Sequence, residues 1–473
     1  MRATATATSI GTHAGQFLVV IVTGLSLAIL IAHQSIPVVL AALLGAIYGI
    51  VFLSRPDIGL VIVLLVRAST DLTFQYMRPI FVERNWIAGL PNVGLVGVLI
   101  LAGGLFILRR NLPLITLPGG RLLALILLAG AVGAFRSDSR LLALNEWLPV
   151  LSSLVVYSLA TALFRSPQRM RRVIDVFAAS FILPALFGFY QLASGTSFIL
   201  VQEGVSRVFG TFVHPNGFGL YLVIMLSVFL PEALSQTGRR KLVALMIVLA
   251  SVTLLVATFA RASWAGAIIV FLTVGALRSR ALLVVVAVVG VLALGLVPSL
   301  TARLANPLGE GGSFADRVDL WTGTLEQWTA ISAAEGSPFG TALTRFTGLG
   351  PGSVEFLTMR VREFPITAHN DYLRVLVEYG LFGLTLYLAL LVLLVRLAFR
   401  VWRETVDKTY AVVALAFLAL ALANPIMSIT DHIFAQTANQ VYFWTLAGMT
   451  VAAGQLSRRE VGAGDAPHFT PKT

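Results

Sequence analysis

"AHNDYLRVLVEYGLFGLTLYLALLVLLV", residues 368–395, places a histidine, an asparagine and an aspartate at the head of a run that then stays apolar. The run is long enough to cross a bilayer, which takes roughly 17–25 residues. Past its head only Arg374 and Glu378 are charged, and at i, i+4 on a helix they can neutralise each other. Polar groups at a membrane edge are expensive, so His369, Asn370 and Asp371 call for either a structural reason or a function.

Similar runs recur along the whole chain. They predict spans near 15–33, 36–53, 57–69, 89–108, 120–135, 145–164, 172–193, 216–234, 240–259, 263–277, 280–299, 369–395, 409–428 and 432–455. Of the 473 residues 57% are hydrophobic and 12% charged, and the mean hydropathy is +0.88. A soluble domain carries about 25% charged residues, so the bilayer is the solvent here. The expected fold class is an all-α polytopic membrane protein with about 12–14 transmembrane helices and one large external loop containing short helices. Cysteine is absent, which excludes disulfides and thiolate metal sites. The net charge of +12 does not point to nucleic acid, because the basic residues sit in short loops between spans.

Those loops set the orientation. Residues 109–121, 165–172, 238–241, 278–280 and 396–408 are rich in arginine and lysine, so the positive-inside rule makes their side cytoplasmic. Alternate loops then face out and both termini face in. The polar start "MRATATATSIGTHAGQ" reads as the lead into a first span rather than a cleaved signal. The expected organisation is 1–144, N-terminal spans; 145–299, central spans; 300–368, the external loop; 369–456, C-terminal spans; and 457–473, a disordered cytoplasmic tail. Within the loop, "FADRVDLWTGTLEQW" (314–328) reads as an amphipathic helix, followed by a Gly/Pro-rich stretch at 336–352.

The outward side carries few charges, which makes each more informative. Arg207, Arg261, Arg303, Arg317 and His369 all fall at or beyond that face. Arginine offers a planar fork of donors matched to phosphate oxygens, so a cluster at the bilayer edge suits a diphosphate whose lipid tail lies in the membrane. Alone, Arg303 or Arg317 reads equally well as a snorkelling anchor or a surface ion pair. For His369, Pro365 and Thr367 suggest a helix capped by Thr367, with the histidine in its first turn. A neutral imidazole there can accept a proton from a hydroxyl. The weaker candidates read as structural: "HPN" (214–216) shapes a helix start, Asp431–His432 forms an interface pair at a turn, and Asp316 and Asp319 lie on a solvated helix. No metal site is expected. Gly380 and Gly383 are expected to admit a neighbouring helix.

These pieces resemble the O-antigen ligase and polymerase superfamily. His369, Asn370, Gly380 and Gly383 fit the pattern H-[NSQ]-x9-G-x-x-[GTY]; "RVFGTFVHPN" (207–216) resembles its R-x-x-G-T-F-x-x-P-N segment; and "FARASW" (259–264) resembles its third signature. The resemblance covers roughly 145–455. It implies a GT-C-type glycosyltransferase at the outer face of a bacterial cytoplasmic membrane, metal-independent, inverting and without cofactor. The donor it implies is a glycan on undecaprenyl diphosphate, and the acceptor a lipid or glycan hydroxyl. Carried over, Arg207 and Arg261 bind the diphosphate and His369 is the base or the residue that positions the acceptor. Arg303, Arg317, Asn370 and Tyr372 are expected to touch substrate. Polymerase, protein O-oligosaccharyltransferase and small-anion transporter are the competing readings.

Overall fold

A computed structural model describes residues 36–72, 86–137, 140–195, 201–202, 205–296, 315–334, 337–362, 367–434 and 436–464. The chain is an all-α polytopic membrane protein. Its helices are α1 Ile36–Ser54, α2 Pro56–Val66, α3 Trp86–Arg109, α4 Gly120–Arg136, α5 Arg140–Leu163, α6 Pro167–Ser194, α7 Pro215–Ser235, α8 Gly238–Thr258, α9 Arg261–Arg278 and α10 Arg280–Leu296. Three short helices follow, α11 Ala315–Ala333, α12 Pro338–Thr347 and α13 Ser353–Arg362, and then α14 Asp371–Glu404, α15 Lys408–Met427 and α16 Thr437–Gly464. Among the described residues the one strand pairing is the two-residue ladder of Val201–Gln202 with Val205–Ser206.

A helix lies at each expected span except that near 15–33, which falls outside the described residues. Seven of them (α5 to α9, α14 and α15) are long and apolar enough to cross a membrane. The starts are written locally. Ser166 accepts from Arg169 N ahead of Pro167, and Asp407 accepts from Thr409 N and Tyr410 N at the head of α15. Two helices differ from expectation. α16 continues to Gly464, past the expected start of a disordered tail at Ser457, so only 465–473 fall outside the described residues. The Gly/Pro-rich stretch also contains a helix, α12, because Ser337 caps it and Pro338 sits at N1.

α7 and α15 form the centre, 89% and 78% buried across their apolar windows, against 39% for α8 and α9 and 33% for α14. The outer helices turn Leu249, Val284, Val288, Leu388 and Val392 outward, an apolar surface suited to lipid. A second, smaller core of Trp328, Val354, Leu357, Ala368, Leu373 and Val377 fastens α11 and α13 onto the start of α14.

α14 is not continuous. Gly380 has φ 68° and ψ −169°, which breaks the helix one-third of the way along. The carbonyls left free are taken up by the loop: Leu349 N donates to Val377 O and Gly350 N to Glu378 O, both at 2.9 Å, while Gly352 N reaches the Glu378 carboxylate. Gly380 was expected to admit a helix; it admits the backbone of residues 346–348 instead. A β-carbon there would strike the Phe346 carbonyl and Gly348 N. This φ, ψ region is almost closed to other residues and costs of order 1–3 kcal/mol. Gly380→Ala is therefore expected to lower stability by at least about 1–3 kcal/mol, read as a drop in the unfolding midpoint in detergent. An unchanged midpoint would refute the break.

Candidate active site

Three segments meet at one end of the bundle: the approach to α7, the approach to α14, and the turn between α15 and α16. The third is anchored by Asp371, fully buried at the head of α14. Its carboxylate accepts from Ser428 Oγ at 2.8 Å, Ile433 N at 3.0 Å and Phe434 N at 3.1 Å, and its own N–H donates to Ser428 O. That clamp fixes Asp431 and His432 beside His369.

The helix starts later than Thr367 would have it. Asn370 is the N-cap, accepting from Leu373 N at 3.0 Å, so His369 stands outside the helix with a φ of +48°. Such a backbone is uncommon for a residue with a side chain. The ring is about one-fifth exposed; its Nδ1 lies 3.6 Å from Asp431 Oδ1 and its Nε2 3.3 Å from Thr367 Oγ1. Burial holds the imidazole below its ordinary value of 6.5, against the pull of Asp431 in the other direction. Burial would raise Asp431, but His369 and His432 outweigh it and hold that carboxyl well below the usual carboxylate range. His214, at a ring-centroid distance of 6.5 Å from His369, is pushed down to about 4 by burial and then by the charge of Arg207. It caps α7 by accepting from Asn216 N, with Pro215 at N1.

Arg207 is buried. Its Nε donates to Thr258 O at 2.8 Å and its Nη2 to Asn216 Oδ1 at 2.9 Å, while Val208 N donates to Ala257 O. The segment therefore lies against the α8–α9 turn, which also presents Arg261 as the first residue of α9. Arg317, on α11, donates to Thr430 O at 2.6 Å. Burial lowers it from its ordinary value; Asp431 opposes this and Arg261 adds to it, so these charges feel one another. Trp321, on the same helix, donates to Ala368 O at 2.7 Å and ties α11 to the approach to His369.

Beside these groups is a cavity of about 410 Å³, lined by His214, Asn216, Thr367, His369, Asp431 and His432 and also by Arg67 and Asp71. Arg67 is itself held by Thr70, Asp71 and Thr437.

Sequence reading and structure divide as follows. His369, Arg207, Arg261 and Arg317 gather at this end, and Arg303 lies outside the described residues. Asn370 is engaged as a cap, and the Tyr372 hydroxyl donates to Pro425 O at 2.8 Å, so each has a structural task next to the histidine. Asp431 and His432, read as an interface pair, instead face His369, because the Asp371 clamp folds their turn back onto α14. His214, read as shaping a helix start, does so and also lines the cavity, whereas Arg67 carried no reading. The signal available for the first pair was "TDHIF" (430–434), an acid and a histidine placed directly after an apolar span. Asp316 and Asp319 lie exposed on α11, with Asp316 3.9 Å from Arg362.

Residues 245–388 match the family model described as O-antigen ligase. The match runs from within α8 to the middle of α14, and so takes in Arg261, Arg317 and His369 but ends before Asp431. No curated protein matches the chain. Its ordered motifs, its helical membrane architecture and this match over residues 245–388 agree in supporting a relationship to the O-antigen ligase and polymerase superfamily of membrane proteins.

Proposed function

We propose that the protein moves a glycan en bloc from undecaprenyl diphosphate to a hydroxyl acceptor at the outer face of the cytoplasmic membrane, as an O-antigen ligase does, by a metal-independent, inverting displacement. The observation that carries this reading is the gathering of Arg207, Arg261 and Arg317 at the end of the bundle where His369, backed by Asp431, faces a cavity.

The acceptor oxygen attacks the anomeric carbon as the bond to the diphosphate oxygen breaks, and the leaving diphosphate keeps the electron pair. Arginines fixed in place stabilise that growing charge without having to reorganise. The acceptor's proton passes to His369 Nε2. A carboxylate facing Nδ1 favours the tautomer that carries its proton there and leaves the Nε2 lone pair free. α11 and the strap of residues 348–352 cover the approach to α14, a placement suited to keeping water from the donor.

The test uses purified protein, undecaprenyl-diphosphate glycan and candidate acceptors, with EDTA present. A single mass addition to a lipid A–core acceptor makes it a ligase; a ladder built on the donor makes it a polymerase; glycan on a protein makes it an oligosaccharyltransferase. No transfer with any acceptor, together with a labelled anion accumulating in proteoliposomes, would replace this reading with transport.

The pH profile follows from His369. A base works above its own pKa, and burial lowers this one from 6.5, so the acid limb of kcat/KM is expected below pH 6.5. A limb above that value would mean that another group titrates.

A further inference from the structure

We propose that His369, Asp431 and His432 form a site for a borderline transition cation of the Zn2+ class, and that its occupation switches glycan transfer off. The inference rests on the reading of His369 as the base, which itself calls for no metal.

The spacing is the first ground. Nδ1 of His369 and Nδ1 of His432 lie 3.6 and 3.5 Å from the same oxygen, Asp431 Oδ1. Both distances are too long for good hydrogen bonds. Two ligand atoms on one tetrahedral cation, each about 2.0–2.1 Å from it, stand roughly 3.3 Å apart. One ligand atom from each of the three residues can be chosen so that all lie within 4.8 Å of one another, and only a small closing movement completes the set.

The second ground is unmet polar capacity. Asp431 is fully buried, and its Oδ2 has no hydrogen-bond partner among the described residues, nor has either Nδ1. Buried polar atoms left so are unusual, and a cation bound by both Nδ1 atoms and gripped by both oxygens of Asp431 would satisfy them. The way in is open, since both rings are about one-quarter to one-fifth exposed and line the cavity. Two imidazoles and a carboxylate suit Zn2+, Ni2+ or Cu2+ and not Mg2+ or Ca2+.

The consequence lies in the tautomer. A cation on Nδ1 of His369 forces the neutral ring's proton onto Nε2. The lone pair that would take the acceptor's proton is then gone, and transfer stops although nothing blocks the donor.

The test begins with metal binding in the full chain in detergent, without substrate. Co2+ is expected to give the absorption of a tetrahedral N/O site, displaced by one equivalent of Zn2+, and His432→Gln is expected to weaken Zn2+ binding by about 10–100-fold or more. In the transfer assay Zn2+ should inhibit the wild type, EDTA should restore it, and Mg2+ should do nothing. His432→Gln, with an unchanged unfolding midpoint, should keep its own metal-free transfer rate when the same Zn2+ is added. Absence of a Co2+ spectrum and of bound Zn2+ would overturn the site and leave the transfer reading standing. Zn2+ bound in a His432-dependent way to a wild type that still transfers would overturn the switch, and with it the role of His369 as base.

Discussion

His369→Ala is expected to reduce glycan transfer by about 10²–10⁴-fold, the usual contribution of a general base, in a protein that still folds. The fold does not depend on this ring. It stands on the cavity wall outside α14, and its side-chain neighbours are Asp431, Thr367 and the rings of His432 and His214. The head of the helix is held by its neighbours, Asn370 as cap and Asp371 as clamp. The one stability term is the backbone: at φ +48° alanine is less at ease than histidine, whereas asparagine tolerates that conformation well. His369→Asn therefore serves as the companion variant, lacking the base but keeping a residue tolerant of that conformation. Both are measured in the purified assay, beside their unfolding midpoints. Near-normal turnover in either would remove His369 from the proton transfer. An inactive alanine variant with a collapsed midpoint, beside a stable and active asparagine variant, would make the residue structural.

What the sequence made legible follows the range over which each signal is summed. Apolar runs of about twenty residues average over many local choices, so the spans from 36 onward are met by helices. Single residues were placed well where their reason was local. Arg261 sits in a turn too short to carry it elsewhere, and "HPN" starts α7 as its proline demands. The misreadings share a cause. Thr367 is of a capping residue type, yet Asn370 takes that place, and only the tertiary setting of residues 367–370 decides it. Gly380 reads as a small residue on a helical face because nothing local says that the helix stops there; the strand of loop that fills the break comes from residues 346–352. Asp431 is 62 residues from His369 in sequence, and the carboxylate that brings them together belongs to Asp371, two residues from the histidine yet bonded to Ile433 and Phe434. Such meetings are tertiary, and no spacing rule encodes them.

The charged pair in the opening stretch carries the same lesson further, because Arg374→Ala is expected to be the most destabilising of these substitutions. On a helix alone, Arg374 and Glu378 would be an exposed i, i+4 pair worth about 0.2–0.5 kcal/mol. In the folded chain both are buried, with Arg374 Nε 3.3 Å from Glu378 Oε2 and its Nη2 bonded to Glu146, 228 residues upstream. Removing the arginine leaves Glu146 and Glu378, and Glu355 beside them, without their counter-charge, a loss of about 3–5 kcal/mol for a broken buried pair. Glu378 also accepts from Gly352 N and, through its main-chain carbonyl, from Gly350 N, so the damage reaches the strap that holds the short helices over the break in α14. Loss of folded protein in detergent, read by fluorescence-detected unfolding, is the expected result. The rescue separates charge from shape. Arg374→Met with Glu146→Met, Glu355→Gln and Glu378→Gln replaces the ionic group as a whole and keeps the acceptor for Gly352, and should recover most of the stability, since apolar replacement of a complete buried ion group is often neutral or better. A rescued protein that also transfers glycan would show that the group is scaffold. An Arg374→Ala variant that folds normally and is inactive would instead move Arg374 among the residues that touch the donor, alongside Arg207 and Arg261.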